Sequence, residues 1–189
     1  MLFELNKGSK LKPKVIHLVD DSKLGGVNLA LQCLIDSRLK QSFDFELQHI
    51  QLTQPKWRRF NAAVLVIHGA MSWQKLLAIA CLKLANPNST LMYQEHHYCR
   101  EFVRYNVAHP RRFKLMLKMG YLLVERVLCV SNQQANWIIE QGLASADKVA
   151  QVGQAKNVSE LLKLKAAVKH QPLRLLAYGR LAKQKGFDL

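Results

Sequence analysis

The sequence lacks a long hydrophobic run and a closely spaced cysteine pair. A membrane-spanning helix needs ~18 to 20 apolar residues, and the nearest run, residues 73–85, is interrupted by three polar side chains. The residues before Val15 are polar and basic, unlike a signal peptide. The four cysteines are far apart and form no Cys-x-x-Cys motif, so we expect reduced thiols rather than a disulfide or a zinc site. These absences predict a cytoplasmic protein.

Acidic residues are also scarce. The chain has 13 Asp and Glu against 28 Lys and Arg, which gives a formal net charge of +15. Such a charge favours polyanionic partners, namely nucleic acid, an anionic membrane face or a phosphorylated substrate. The basic residues are spread along the chain and no nucleic-acid-binding motif accompanies them, which disfavours nucleic acid among these partners. A basic module that binds nucleic acid or another polyanion stays open as the alternative function.

Two phosphate-binding fingerprints are missing as well. The sequence contains neither Gly-x-Gly-x-x-Gly nor Gly-x-x-x-x-Gly-Lys-Ser/Thr, which sets aside a dinucleotide-dependent enzyme and a P-loop enzyme. What is present is a length of 189 residues and a hydrophobic content of 49%. These values are typical of a globular chain with one domain and some additional length.

Strand and helix patterns alternate along the chain. Predicted strands are residues 14–20, 43–50, 61–68, a segment beginning at 90, 126–130, 149–152 and 173–178. Predicted helices are residues 27–40, 73–85, 111–124 and 131–141. This alternation is typical of βαβ units. We therefore predict an α/β fold with a doubly wound, mostly parallel Rossmann-like sheet and helices on both faces.

The pattern also suggests a division of the chain. Residues 1–155 contain the strand and helix alternation and are predicted to form the amino-terminal domain. Residues 156–171 have helical propensity but a thin apolar face, which indicates a linker or connecting helix. Residues 172–189 begin with a new strand, so we expect them to start a second, carboxyl-terminal domain.

The loop after the first strand carries Gly25-Gly26 at a helix start. Glycines there allow another group to approach the backbone, and the free N–H groups and positive dipole end of a helix suit a phosphate. A plain tight turn is the alternative interpretation.

Several segments in sequence order resemble group 1 (family 4) glycosyltransferases, which have the GT-B fold of two Rossmann-like domains facing a cleft. They are Gly25-Gly26-Val27-Asn28, Glu125-Arg126-Val127-Leu128-Cys129-Val130-Ser131-Asn132 and Gly179-Arg180-Leu181 with Lys185-Gly186-Phe187-Asp188. The resemblance implies transfer of a sugar, with retention, from a nucleotide-sugar donor to a glycan or lipid-linked acceptor in surface polysaccharide or glycolipid synthesis. It implies that Gly25, Gly26, Arg180 and Lys185 bind the donor diphosphate, with no metal and no cofactor besides the substrate.

The sequence departs from the family in two places. Gly153-Gln154-Ala155-Lys156-Asn157-Val158 stands where the family usually has Pro-Asn-Gly-Val after the sixth strand. The family's Glu-x(7)-Glu element, which lies deep in the second domain and contacts the donor, does not occur before Leu189. We therefore expect this chain to represent the acceptor-side half with the first strand of the donor-side domain, and to show little or no turnover alone.

Histidines follow two of the predicted strands. His68 closes the third strand and Glu95-His96-His97 closes the fourth, where the carboxyl ends of parallel strands line a ligand crevice. By resemblance, His96 matches a histidine that contacts the donor sugar and the acceptor, while His68, Glu95 and His97 are further cleft candidates. A structural role at a strand end is the alternative for both His68 and His96, and it is favoured for His68. Adjacent strand residues point to opposite faces, so His96 and His97 are poorly placed to share a metal. His17 is predicted to be a satisfied core residue.

The helix after Pro110 has a basic side formed by Arg111, Arg112, Lys114 and Lys118. A basic amphipathic helix can lie on an anionic membrane surface, and the alternative is a surface helix whose apolar side packs in the core. Residues 56–60 form a second basic and aromatic patch with the same two interpretations. These patches predict peripheral association with the inner face of the membrane.

Overall fold

The computed structural model of the protein describes residues 11–20 and 26–153. Three sequence predictions lie outside these residues: the linker at 156–171, the start of a second domain at 172–189 with Arg180 and Lys185, and Gly25.

The described residues form six strands and five α-helices, which alternate except that β3 follows β2 directly and α4 follows α3 directly. The strands are β1 (Lys14–Val19), β2 (Asp44–His49), β3 (Val64–His68), β4 (Thr90–Glu95), β5 (Arg126–Cys129) and β6 (Val149–Gln151). The helices are α1 (Gly26–Ile35), α2 (Trp73–Ala85), α3 (Arg100–Asn106), α4 (Pro110–Leu122) and α5 (Asn132–Glu140), and a 3-10 turn covers Arg38–Gln41.

All neighbouring strands pair in parallel, in the order β2-β1-β3-β4-β5-β6. The direction of chain progression therefore reverses at β1: β2 lies on one side of β1 and the later strands lie on the other. Right-handed crossovers then place α1 on one face of the sheet and α2, α4 and α5 on the opposite face. The predicted α/β, Rossmann-like fold is confirmed.

The main core lies between the sheet and the α2, α4 and α5 face. Alternate side chains of the strands point into it, with Leu18, Leu65 and Ile67 fully buried. From the helices, Ile79, Leu117 and Ile138 fill the other side of the layer. The remaining strand residues, among them His17 and His68, point to the α1 face. The two faces of the sheet thus carry different chemistry.

Two helices differ from the prediction. The first helix was expected to reach Lys40 but ends at Ile35, because the Ser37 side chain accepts a hydrogen bond from the Leu39 backbone and begins the 3-10 turn. Helix α3 was missed altogether. It has seven residues and Val103 is its one buried side chain, so its sequence carries almost no apolar periodicity.

Candidate functional site

The candidate site lies at the carboxyl ends of the strands, next to β1, where the strand order changes direction. Open α/β sheets bind ligands in the crevice at such a point. The carboxyl ends of β1 and β3 are neighbours there. The Asp20 N–H donates a hydrogen bond to the His68 carbonyl over 3.1 Å. A Cβ atom on Gly69 would lie 3.0 Å from Cβ of Asp20. Glycine at position 69 therefore lets the two strand ends approach closely.

A mostly buried ion pair between Lys75 and Asp20 lies beside the point where the strand order changes direction. The Lys75 ammonium lies 2.5 Å from the Asp20 carboxylate, and both side chains are mostly buried. Lys75 also donates to the Ala70 carbonyl over 2.7 Å, and Asp20 accepts from the Leu52 N–H over 2.9 Å. Asp20 thus also binds the backbone of the loop after β2, and Lys75 binds the backbone of the loop after β3. Sequence reasoning treated Lys75 only as an interruption of an apolar run.

Three histidines from the neighbouring strands β1, β3 and β4, His17 inside its strand and His68 and His96 at the strand ends, form a hydrogen-bonded chain on the α1 face. His17 Nδ1 lies 2.9 Å from His68 Nε2, and His68 Nδ1 lies 3.1 Å from His96 Nε2. The rings are tilted, with centroids 5.1 and 5.4 Å apart. His17 and His68 are buried, while His96 is half-buried. We name these residues the histidine chain.

Burial keeps the histidine chain neutral. It lowers the pKa of His17 to about 4 and is the main cause that lowers the pKa of His96 to about 4. The pKa of His68 is also well below its usual range, first through burial and then through its two neighbouring imidazoles. The prediction of a core position for His17 is confirmed, but its Nε2 atom is buried without a hydrogen-bond partner, so it is not the satisfied residue we expected.

Glu95 points to the opposite face of the sheet from His96, as the alternation along a strand requires. Its carboxylate is fully buried and accepts hydrogen bonds from the backbone N–H groups of His97 and Tyr98, over 2.8 and 3.0 Å. The Tyr121 hydroxyl of α4 donates to its other oxygen over 2.7 Å. Glu95 therefore fixes the turn that carries His96.

Burial dominates the pKa of Glu95. It raises the pKa to about 7, although the bonds from Tyr121, His97 and Tyr98 act in the other direction. The same carboxylate contributes to the raised pKa values of Tyr93, Tyr98 and Tyr121, in each case after burial. A carboxyl group that titrates near neutrality is thus placed directly behind the turn.

A cleft of about 730 Å³ opens beside this turn, between α3 and the start of α5. His96 and His97 line it, whereas His68 and Glu95 lie behind its wall. Polar residues that sequence reasoning did not identify as site residues contribute to the cleft, among them Arg100, Ser131 and Glu140. Arg100 was missed together with helix α3, while Ser131 was noticed only as part of a strand ending in Val-Ser.

Gln134 ties the two sides of the cleft together. Its side chain is buried, accepts from the Val130 N–H over 3.0 Å and donates to the Tyr98 carbonyl over 2.8 Å. At the mouth, the Arg100 guanidinium lies 2.8 Å from the Glu140 carboxylate, and both are exposed. Because an exposed ion pair contributes little to stability, these two charges are available to a ligand at small cost.

Helix α1 and His96 meet at a small cavity of about 50 Å³. Val27, in the first turn of α1, lines this cavity together with His96 and Gly153. The neighbouring Gly26 is exposed, and a Cβ atom there would meet no atom within 4 Å. Further along α1, Ala30, Leu31 and Leu34 also line the cavity, so the helix packs beside His96 from its first turn onward. Gly26 belongs to the one predicted diphosphate-binding element that lies partly within the described residues.

Neither a metal centre nor a membrane-spanning helix is found in the part of the chain that the structure describes. In residues 11–20 and 26–153, no group of three or more His, Cys, Asp or Glu side chains is placed so that it could hold a metal ion. None of the helices in these ranges combines the length and apolarity needed to cross a bilayer.

Helix α4 presents more than a basic side to solvent. Its exposed residues include Leu115, Met119 and Leu122 as well as Arg111, Arg112 and Lys118. The neighbouring helix α2 exposes Trp73, Leu77 and Leu84. These six apolar side chains, which are 41% to 66% exposed, constitute what we name the apolar face.

Arg112 links the two helices of the apolar face, with its guanidinium 6.0 Å from the centre of the Trp73 ring. Lys114 differs from the other predicted membrane-facing residues, because its ammonium donates to the Gln141 side chain at the end of α5. The basic residues that accompany the apolar face are therefore Arg111, Arg112 and Lys118.

The described residues form a Rossmann-like α/β domain with an all-parallel sheet. Its cleft lies at the edge formed by the carboxyl ends of the strands. A comparison with models of known protein families and a search among curated proteins found no match to this chain.

Proposed function

We propose that the protein is the acceptor-side part of a retaining glycosyltransferase that takes a nucleotide-sugar donor. The observation that carries the proposal is the meeting of the α1 start with His96 at the carboxyl edge of the sheet. A helix start offers N–H groups to a diphosphate, and a neutral imidazole can hydrogen-bond a sugar hydroxyl. The cleft beside them has room for a sugar acceptor. Donor contacts from Arg180 and Lys185 belong to the same proposal.

Ligand titration of the full chain tests this function. We expect UDP-glucose, GDP-mannose or another nucleotide sugar to bind saturably, with a dissociation constant below about 1 mM. His96→Ala should weaken that binding about tenfold, because one hydrogen bond to a charged or polyhydroxylated ligand is worth ~1 to 2 kcal/mol. Isothermal titration calorimetry measures both. His109→Ala, at an exposed histidine before α4, serves as the matched control and should bind like the wild type.

A second variant separates ligand effects from damage to the fold. At Gly26 an added Cβ meets no protein atom within 4 Å, so Gly26→Ala should fold normally and yet weaken the binding of a diphosphate that approaches the backbone. The proposal fails if no nucleotide sugar saturates. If an oligonucleotide then binds with an affinity that falls steeply with salt and engages ~5 or more phosphates, the alternative polyanion-binding module is correct.

We further propose that α2 and α4 dock on an anionic membrane, which would bring a lipid-linked acceptor to the cleft. The apolar face supports this proposal, because six exposed apolar side chains on two adjacent helices are accompanied by Arg111, Arg112 and Lys118. Helix α4 contains no acidic residue. Apolar insertion and attraction to anionic headgroups act together on such a surface.

Vesicle co-sedimentation tests the docking. The protein should sediment with vesicles of phosphatidylglycerol and phosphatidylcholine more than with pure phosphatidylcholine, and salt should reduce the bound fraction. Leu115→Glu/Leu122→Glu should lower the partition coefficient at least about tenfold, since a charge replaces each inserted side chain. Leu39→Glu, at an exposed leucine outside the apolar face, is the control and should bind unchanged. Equal binding by both leucine variants would overturn the docking proposal.

A further inference from the structure

The two distances in the histidine chain do not show which ring donates the proton in each hydrogen bond. This choice is the direction of the chain. Each neutral imidazole has one N–H donor and one acceptor nitrogen. In a chain where Nδ1 of one ring meets Nε2 of the next, every ring must use the same tautomer. Either all three protons lie on Nδ1, or all three lie on Nε2.

The surroundings of His17, which is the inner end of the histidine chain, distinguish these two cases. His17 Nε2 is buried and has no hydrogen-bond partner among residues 11–20 and 26–153. With protons on Nδ1, this atom is an acceptor without a donor. With protons on Nε2, it is an N–H group that is buried without an acceptor, and orphaned buried N–H groups are the rarer of the two defects in folded proteins. The first direction is therefore the more stable.

The two contacts fit hydrogen bonds better than a shared metal ion. The separations between ring nitrogens are 2.9 and 3.1 Å, within the range of a hydrogen bond. Two imidazole nitrogens bound tetrahedrally to one zinc ion at ~2.0 to 2.1 Å would lie about 3.4 Å apart. The tilted ring pairs are already accounted for by the hydrogen-bonded chain.

We propose that His17 and His68 are positioning residues that hold His96 in the tautomer with its proton on Nδ1. His68 then donates to His96 Nε2, so that nitrogen cannot accept a proton from a ligand while the chain is intact. With its proton on Nδ1, His96 can serve a ligand as an N–H donor to an oxygen acceptor, and it does not serve as a general base. This role for His96 rests on the proposed function, whereas its tautomer does not.

The tautomers can be measured without any ligand. Long-range ¹H–¹⁵N correlation spectra of the labelled full chain at pH 7 report which nitrogen of each histidine carries the proton. We expect the Nδ1–H form for His17, His68 and His96. The exposed His109 is the control in the same sample and should show the Nε2–H excess of an imidazole in water. The Nε2–H form at any member of the chain would overturn the proposal.

A matched pair of variants tests positioning. In His68→Asn the amide nitrogen falls near the Nδ1 position and keeps the donation to His96. In His68→Gln the amide oxygen falls near the Nε2 position and keeps only the acceptance of the His17 N–H. We expect His96 to stay Nδ1–H in the first variant and to lose this preference in the second. Identical His96 tautomers in two folded variants would contradict the positioning role of His68.

Ligand affinity supplies a second measurement that separates the two proposals. Under the proposed function, His68→Gln should weaken nucleotide-sugar binding about tenfold, the effect of one misdirected hydrogen bond, and His68→Asn should change it by less than about twofold. If no nucleotide sugar binds the wild type but the tautomers are as expected, the proposed function fails and the chain's direction stands. If the ligand binds and the tautomers differ, only the inference on His96 fails.

Discussion

Lowering the pH from 7 to 4.5 is expected to reduce the free energy of unfolding by about 2 kcal/mol or more. His17 and His96 each have a pKa of about 4 in the folded protein against an ordinary value of 6.5. Between these values the unfolded chain binds more protons, so stability falls as the pH falls. Each of the two histidines contributes a loss of about 2 kcal/mol over this range, and His68 adds to it.

Glu95 opposes this loss, because its pKa is raised from 4.5 to about 7. In that window the folded state binds the extra proton, and stability rises as the pH falls, by about 2 to 3 kcal/mol. Urea unfolding at pH 7, 5.5 and 4.5 measures the balance. In Glu95→Gln the loss on acidification should grow to about 5 kcal/mol, and in His17→Phe it should shrink towards zero. A wild-type stability that is flat or rises on acidification would contradict the neutral histidine chain.

Glu95→Ala should destabilise the protein at pH 7 by about 3 to 5 kcal/mol. The change removes the acceptors of the His97 and Tyr98 N–H groups and of the Tyr121 hydroxyl, all within a buried site. Each buried donor left unsatisfied costs ~1 to 3 kcal/mol, and the missing side chain also leaves a cavity. Denaturant unfolding measures the loss, and the amide signals of residues 96–99 should shift most.

Two milder variants and one control sharpen this test. Tyr121→Phe removes a single hydrogen bond and should cost about 1 kcal/mol, and Glu95→Gln keeps an acceptor oxygen and should cost a similar amount. Glu140→Ala removes an exposed carboxylate paired with Arg100 and should change stability by less than about 1 kcal/mol. If Glu95→Ala were as mild as Glu140→Ala, Glu95 would not hold the turn.

Most of the fold could be predicted because its signals are local. Helix α2 was predicted with its observed bounds, and the strands were located to within three residues at their ends. The predicted helix 131–141 stops just before Gly142, whose φ of 61° is the left-handed conformation that glycine adopts without strain at a helix end. Apolar runs, glycines and prolines act on their own neighbourhood, so they can be read without the tertiary structure.

The candidate site was predictable only in part. The strand ends drew attention to His68, Glu95 and His96, because parallel strands place their carboxyl ends at one edge. The alternation of side chains could have placed Glu95 and His96 on opposite faces. The partners of these residues could not be predicted: Tyr121 is 26 residues from Glu95, and His17 is 51 residues from His68.

The sequence by itself determined the alternating elements, the parallel sheet and the excess of positive charge, since each depends on composition or on short-range periodicity. Only the tertiary structure decided that three histidines form one chain, that a carboxyl group with a pKa of about 7 lies behind the turn, and that α2 and α4 share an exposed apolar face. The physical reason is that hydrogen bonds and desolvation depend on distances between residues remote in sequence. Those distances are set by strand order, and the order reverses at β1.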